Sequence, residues 1–185
     1  MKLNLGAGGD IRPEFVNHDI VQLEGIDVVH NLNEYPWPMA DQSFDEVLAI
    51  DLLEHLDDFM KAMEEVYRIM KPGGIFRIRV PYWNSWCTHS DPTHRRGFHE
   101  LRFHFFDPTS PYCIERTYYT HARFFIKEEV FVLVPFSPYF SVPGMRMIKV
   151  KNKFMRKLVG VFGNTFSNVI IDLEMVLERT PDQQK

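Results

Sequence analysis

Residues 44–80 read FDEVLAIDLLEHLDDFMKAMEEVYRIMKPGGIFRIRV, and this stretch decides the fold class. Phe44 to Ile50 is a mostly apolar run of buried-strand length. From 52 to 70 the apolar residues Leu52, Leu56, Phe59, Met60, Met63, Val66, Tyr67 and Met70 recur at steps of three and four, which gathers them on one helical face. Pro72-Gly73-Gly74 ends that helix, and Lys71 suits its negative end. Ile75 to Val80 then alternates as a second strand. Strand, helix over 52–70 and strand make a βαβ unit, so an α/β fold with a mostly parallel sheet is expected.

Working outward toward the N-terminus, Met1 to Leu5 is a short strand that falls into the turn Gly6-Ala7-Gly8-Gly9. Phe15 to Ile20 forms a second strand ending near Asp19, and Asp27 to His30 a short third. Pro36, Pro38 and the polar residues 40–43 mark a loop. In the other direction, residues 81–120 are rich in aromatic residues, histidine and proline, and have no clean period. Order returns with strands at Glu129–Val134 and Val169–Glu178, and an amphipathic helix at Lys153–Phe162.

Bulk properties set bounds. The 185 residues fit one domain, 1–185, and at 45% hydrophobic and 25% charged they resemble an average globular chain. No apolar run reaches the roughly 18 residues of a membrane span, and MKLNLGAGGD lacks the features of a secretory leader. Two cysteines, Cys87 and Cys113, make no disulfide framework, so a cytoplasmic setting is expected. A net charge of -4 argues against a wholly basic nucleic-acid surface. Yet between Glu129 and Asp172 there is no acidic residue, while Arg146, Lys149, Lys151, Lys153, Arg156 and Lys157 all fall there. That cluster is either an anion-binding surface or an ordinary solvated face.

A glycine turn after the first strand lets backbone approach a ligand closely, and an acidic residue ending the second strand can accept hydrogen bonds from both hydroxyls of a ribose. Gly6, Gly8 and Asp19 hold those positions. G-x-G-x-x-G is absent and Asp19 comes well short of roughly 20 residues after the turn, which disfavours an NAD-linked enzyme.

The order LGAG, HDI, VVHNLNEYPWPMADQSFDEVLAIDLLEHL and EEVYRIMKPGGIFRIRVP, over roughly residues 3–81, resembles the class I S-adenosylmethionine-dependent methyltransferases. It is similar to their short type-11 members, with SFDEV, LEHL and YRIMKPGG as the most specific part. The resemblance implies a Rossmann-like sheet, mostly parallel with an antiparallel last strand, here without the family's N-terminal helices. It implies S-adenosyl-L-methionine as cofactor and S-adenosyl-L-homocysteine as product. Leu5, Gly6, Ala7 and Gly8 would line the methionine and ribose, Asp19 would bind the ribose hydroxyls, and Asn31 and Leu32 would lie beside the adenine. Asp51 and Leu52 would face the methyl group and the acceptor. Glu54 and His55 would open the following helix in a structural role. Residues 1–81 then form a cofactor-binding half and 82–185 a substrate side. Three departures stand out: Asn4 replaces the family's acidic residue in the first strand, Asn31 stands where aspartate is commoner, and the helix after the first strand shrinks to about one turn.

Transfer of a sulfonium methyl requires chiefly alignment. A hydroxyl or amine acceptor gains further from a base. The segment Trp83 to His104, WNSWCTHSDPTHRRGFHELRFH, follows the fifth strand, and His89, Asp91 and His94 are its acid–base candidates. Cys87, His89, His94 and His99 include metal-ligand types, but their spacing fits no common zinc pattern and five-residue steps cannot share a helix face, so no metal site is expected. Arg95 and Arg96 could pair with a phosphate or carboxylate. Trp83, Trp86, Phe98, Phe103, Phe105 and Phe106 are expected mainly as core. The expected function is methyl transfer to oxygen or nitrogen of a small-molecule or glycan-like acceptor of anionic character. The rivals are a cofactor-binding protein without transfer activity and, less favoured, a nucleic-acid methyltransferase. A homodimer is a further candidate assembly.

Overall fold

The computed structural model describes residues 1–135, 147–162 and 169–181. In chain order its elements are β1 (Lys2–Leu5), β2 (Val16–Asp19), β3 (Val28–Val29), β4 (Phe44–Ile50), α1 (Phe59–Ile69) and β5 (Met70–Pro81). The one-turn helices α2 (Cys87–Ser90), α3 (Leu101–His104) and α4 (Pro111–Ile114) come next. The chain then forms β6 (Phe124–Pro135), β7 (Ile148–Val150), α5 (Lys153–Phe162) and β8 (Val169–Arg179). The strands join in the order β3-β2-β1-β4-β5-β8-β6-β7. From β3 to β5 every pairing is parallel, whereas β8 runs antiparallel to both β5 and β6. The sheet is therefore mostly parallel with an antiparallel last strand. The three-residue edge strand β7, antiparallel to β6, adds a feature that was too short to stand out in the sequence.

Alternation along the strands sends Leu3, Leu5, Val47, Ala49, Phe76, Ile78, Met175 and Leu177 to one buried face. Helix α1 covers it with Phe59, Ala62, Met63, Val66 and Ile69. The aperiodic middle of the chain adds Phe98, Phe103 and Phe106, each edge-on to Phe59 at 5.3, 5.8 and 5.7 Å between ring centroids. Trp86 and Phe105 are half-buried and Trp83 is exposed, so the core role expected of all six aromatic residues holds fully for three. The opposite phase of the strands carries charge in cross-strand pairs: Lys2–Glu46 at 3.1 Å, Arg77–Glu46 at 2.8 Å, Lys127–Glu178 at 2.8 Å and Lys149–Glu174 at 2.6 Å.

The helix expected over 52–70 begins only at Phe59, where Asp58 caps it by accepting the Lys61 N–H. The backbone before it is held elsewhere. Asp57 N–H donates to Asn33 Oδ1 (2.8 Å), and Arg96 Nη2 donates to the carbonyls of Leu56 (2.8 Å) and Asp57 (2.7 Å). With those groups engaged across the chain, Leu52 and Leu56 pack from a loop, and Glu54 and His55 do not open a helix.

No helix follows β1 either. Residues 6–15 form turns, with Asp10 N–H bonded to the Ala7 carbonyl and Phe15 N–H to that of Arg12. Two buried amides replace the missing helix. Asn4 Nδ2 donates to the Asp10 carbonyl (2.8 Å) and to Asn17 Oδ1 (3.2 Å). Asn17 also accepts the Arg12 N–H and donates to the carbonyls of Arg12 and Phe15. Asn4, which offers no charge where the family has an acid, is committed to this clamp. Among the described residues no helix is long and apolar enough to cross a membrane.

Candidate active site

Ligands of open α/β sheets bind beyond the carboxyl ends of the strands, where the order reverses. Here that point lies at the end of β1, between β2 and β4. Gly6 and Gly8 both adopt left-handed backbone, φ +63° and +50°. Gly8 N–H donates to Asp19 Oδ2 at 2.8 Å and Val21 N–H to Asp19 Oδ1 at 3.1 Å. The carboxylate is thus aimed from the end of β2, is only partly buried and keeps lone pairs for a ligand. Leu5 and Ala7 are buried beneath the turn, and Ala7 N–H bonds to the His18 carbonyl (2.8 Å).

His18, not singled out in the sequence, fixes the back of this turn. Its ring is 1% exposed, with Nε2 2.9 Å from the His30 carbonyl and Nδ1 3.5 Å from the Gly6 nitrogen. A neutral ring protonated on Nε2 satisfies both neighbours. Burial holds its pKa below the ordinary 6.5, outweighing the opposing effects of the His30 carbonyl and Asp19. At this ring the unfolded chain therefore binds a proton that the native state refuses, and the His18 contribution to stability falls as pH drops below about 6.5. In urea unfolding between pH 5 and 8, the difference in stability between wild type and His18→Gln is expected to shift toward the variant as pH falls, with a slope approaching about 1.4 kcal/mol per pH unit on the acid side.

Gly6 faces a second constraint, because a Cβ there would sit 2.8 Å from Leu52 Cδ1. Gly6→Ala is expected to cost about 2 kcal/mol in urea unfolding, from left-handed backbone strain plus displacement of Leu52. A loss under about 0.5 kcal/mol would show that the turn relaxes freely. At Gly8 and Gly9 an added Cβ meets nothing within 4 Å, so open space adjoins the turn.

Asn31 forms a local turn, its Oδ1 accepting the Asn33 N–H (3.1 Å) and its Nδ2 donating to Glu34 (3.2 Å). Leu32 is buried in the core, and its carbonyl accepts the Trp37 indole N–H at 3.0 Å. Asp51, just past β4, is a non-glycine residue at φ +50°, a strain often stored at functional sites. Its carboxylate pairs with both Nε and Nη2 of Arg79. Asp172 lies beside Pro81 in the β5–β8 register, at the same edge. Burial and the Asp51 charge raise its carboxyl to about 6. The only sequence signal for Asp172 was an acid within the apolar run VIIDL.

The acid–base candidates separate. His89 is exposed on α2. His94 Nε2 is 3.9 Å from Asp91 Oδ2, and its ring meets that of His55 edge-on at 4.8 Å. Thr93 Oγ1 bridges Asp91 Oδ1 (2.6 Å) and His55 Nδ1 (3.0 Å). Behind them Glu54 is fully buried, and burial pushes its carboxyl up to about 8. Arg95 and Arg96 are held by Asp57 and by the loop carbonyls respectively. A separate cavity of about 640 Å³ lies past β5, lined by Tyr82, Trp83, His99, Lys153 and Lys157 among others. Of the basic stretch, Lys149, Lys151 and Arg156 are paired with Glu174, Glu128 and Glu129. Arg146 lies outside the described residues.

Backbone N–H groups, an aimed carboxylate and unfilled space beside two glycines suit the ribose and amino-acid parts of S-adenosylmethionine, so the residues present fit that cofactor. A family model described as a methyltransferase domain matches residues 6–78. A probable S-adenosylmethionine-dependent methyltransferase of Mycolicibacterium smegmatis is 35% identical over 75 residues, 40% of this chain and 28% of that protein. The dimethylglycine N-methyltransferase of Parasynechococcus marenigrum is 37% identical over 79 residues, 43% and 28% of the two chains. The chain thus spans less than a third of the length of these curated relatives. A crystal structure of an S-adenosylmethionine-dependent methyltransferase from Archaeoglobus fulgidus shares the fold, with TM-score 0.59, 16% identity and coverage of 96% of this chain and 85% of that one. Sequence motifs, strand order and these likenesses agree: residues 6–78 match a methyltransferase domain, set in a fold shared with S-adenosylmethionine-dependent methyltransferases.

Proposed function

We propose that this chain moves a methyl group from S-adenosylmethionine to an oxygen or nitrogen of a small or glycan-like acceptor of anionic character. The observation that carries the reading is the 2.8 Å bond from Gly8 N–H to Asp19, which sets turn and carboxylate as one unit at the switch point of the sheet. Bound S-adenosylmethionine supplies an electrophilic methyl group. Leu5, Gly6, Ala7 and Gly8 line its methionine and ribose, and Asp19 accepts hydrogen bonds from the ribose hydroxyls. Asn31 and Leu32 flank the adenine, Leu32 doing so by backbone because its side chain is buried. Asp51 and Leu52 border the reacting centre. Residues 1–81 hold the cofactor and 82–185 the acceptor.

Acceptor binding falls to the cavity at Tyr82 and Trp83, where an exposed indole offers a stacking face and Lys153 and Lys157 supply positive charge. Acid–base work falls to the region of His89, Asp91 and His94. His94 and Asp91 are the better placed, sharing one side-chain network with His55 and Thr93. Calorimetric titration with S-adenosylmethionine and S-adenosylhomocysteine tests the reading, with 1:1 micromolar binding expected. Absence of binding by protein that circular dichroism shows to be folded would overturn it. Hydroxylated acids and acidic sugars are the acceptors to screen next; binding without turnover on any acceptor would favour a cofactor-binding role.

A further inference from the structure

The cluster Glu54, His55 and His94 goes beyond the methyl-transfer reading. One ligand atom from each residue lies within 4.8 Å of the other two. Glu54 is 0% exposed, and neither carboxylate oxygen has a hydrogen-bond partner from another residue. A buried carboxylate left so is costly, either as an unpaired charge or as an unsatisfied acid, and such a group in a native fold calls for a partner.

The imidazoles beside it are prepared to share that partner. His55 Nδ1 lies 3.0 Å from Thr93 Oγ1, whose hydroxyl in turn donates to Asp91 Oδ1 at 2.6 Å. The hydroxyl proton being spent on Asp91, Thr93 accepts from Nδ1–H, and the Nε2 lone pair of His55 is left free. His94 Nδ1 faces the Thr88 carbonyl at 3.3 Å, which can only accept, so the neutral ring carries its lone pair on Nε2, whose nearest charged neighbour is Asp91 Oδ2 at 3.9 Å. Histidines whose Nδ1–H is held by oxygen while Nε2 stays open are the usual arrangement of metal-ligating imidazoles. The two segments are locked together: Arg95 N–H donates to the Glu54 carbonyl (2.9 Å), and Arg95 Nε pairs with Asp57 (2.6 Å). An open cavity of about 570 Å³ lined by His55, Pro92, Thr93, His94 and Arg95 gives access.

We propose that Glu54, His55 and His94 form a binding site for a divalent first-row transition ion, with one carboxylate and two Nε2 atoms as protein ligands. The oxygen–nitrogen donor set suits zinc, cobalt or manganese rather than calcium, which takes six to eight oxygens. Three protein ligands leave coordination positions for water or an acceptor group, reached through the His55–His94 cavity.

Cobalt(II) titration of the metal-free full chain, followed by visible absorption and by calorimetric competition with zinc, tests the site. One equivalent is expected to bind with ligand-field bands, and His55→Ala, His94→Ala and Glu54→Gln each to weaken binding about 100-fold or more, since each removes one of three ligands. His121→Ala, at an exposed histidine elsewhere, is expected to leave affinity unchanged. If Glu54→Gln fails to fold, the two histidine variants, whose side chains are only partly buried, carry the test. Absence of binding by folded wild-type protein, or affinity unchanged in both histidine variants, overturns the proposal. The titration contains no S-adenosylmethionine, so its outcome is independent of the methyl-transfer reading.

Discussion

Asp19→Ala is expected to weaken S-adenosylhomocysteine binding by about 100- to 1,000-fold while the protein stays folded. Two charge-assisted hydrogen bonds to ribose hydroxyls contribute about 1.5–3 kcal/mol each before losses, and roughly 1.4 kcal/mol is a factor of ten. The substitution also frees Gly8 N–H, which Asp19 now holds at 2.8 Å, so the turn loses alignment as well as an acceptor. Asp19→Asn separates the two effects. Its amide oxygen can still take the Gly8 N–H, so that the turn is kept, while its uncharged acceptor binds the hydroxyls less strongly, and a loss of about tenfold is expected. Calorimetry on the three proteins at one pH checks this. An affinity unchanged in Asp19→Ala would remove the carboxylate from the cofactor site.

The second large effect is on stability. Asn17→Ala is expected to lower the unfolding free energy by about 3 kcal/mol, because the buried amide makes four hydrogen bonds and their partners would be left without it. The residues affected, Asn4, Arg12 and Phe15, hold the loop that stands in for a helix between β1 and β2. The glycine turn hangs from the same loop, so cofactor affinity is expected to fall in parallel. Urea unfolding monitored by tryptophan fluorescence reads the first effect. A loss below about 1 kcal/mol would mean that water replaces the amide cheaply.

Much of the fold was legible because it is written in local periodicity. β4 and α5 stand at the expected residues and β1, β2 and β8 within one of them, whereas β5 and β6 each begin five residues early, β5 taking in the Pro72-Gly73-Gly74 expected to end the helix. The errors have particular causes. The apolar steps at Leu52 and Leu56 continue the helical phase into a loop, since both residues pack on the core from there. Periodicity reports which side chains face inward, and says nothing of carbonyls that Arg96 will claim. The short strand β3 lies within the expected Asp27–His30, whereas β7, three residues long, is set by its neighbour in the sheet rather than by its own pattern. The candidate site was legible where backbone conformation dictates residue type, as at Gly6 and Gly8. It was illegible at His18, Glu54 and Asp172, whose character comes from burial and from neighbours far off in sequence.

By itself, the sequence determined the α/β class, the glycine turn with its acid at the end of the next strand, and the order of motifs that marks the methyltransferase domain. All three rest on interactions within a few residues: side-chain period, left-handed turn chemistry and short spacings. Tertiary structure alone decided that two asparagine amides replace a helix, that Lys149, Lys151 and Arg156 of the basic stretch are paired, and that a buried glutamate meets two histidines. Those outcomes depend on which polar groups are brought together once separate segments dock, as the segment after His94 and the Glu54 loop do through Arg95 and Arg96. Hydrogen bonds and ion pairs need precise distances that no linear pattern encodes.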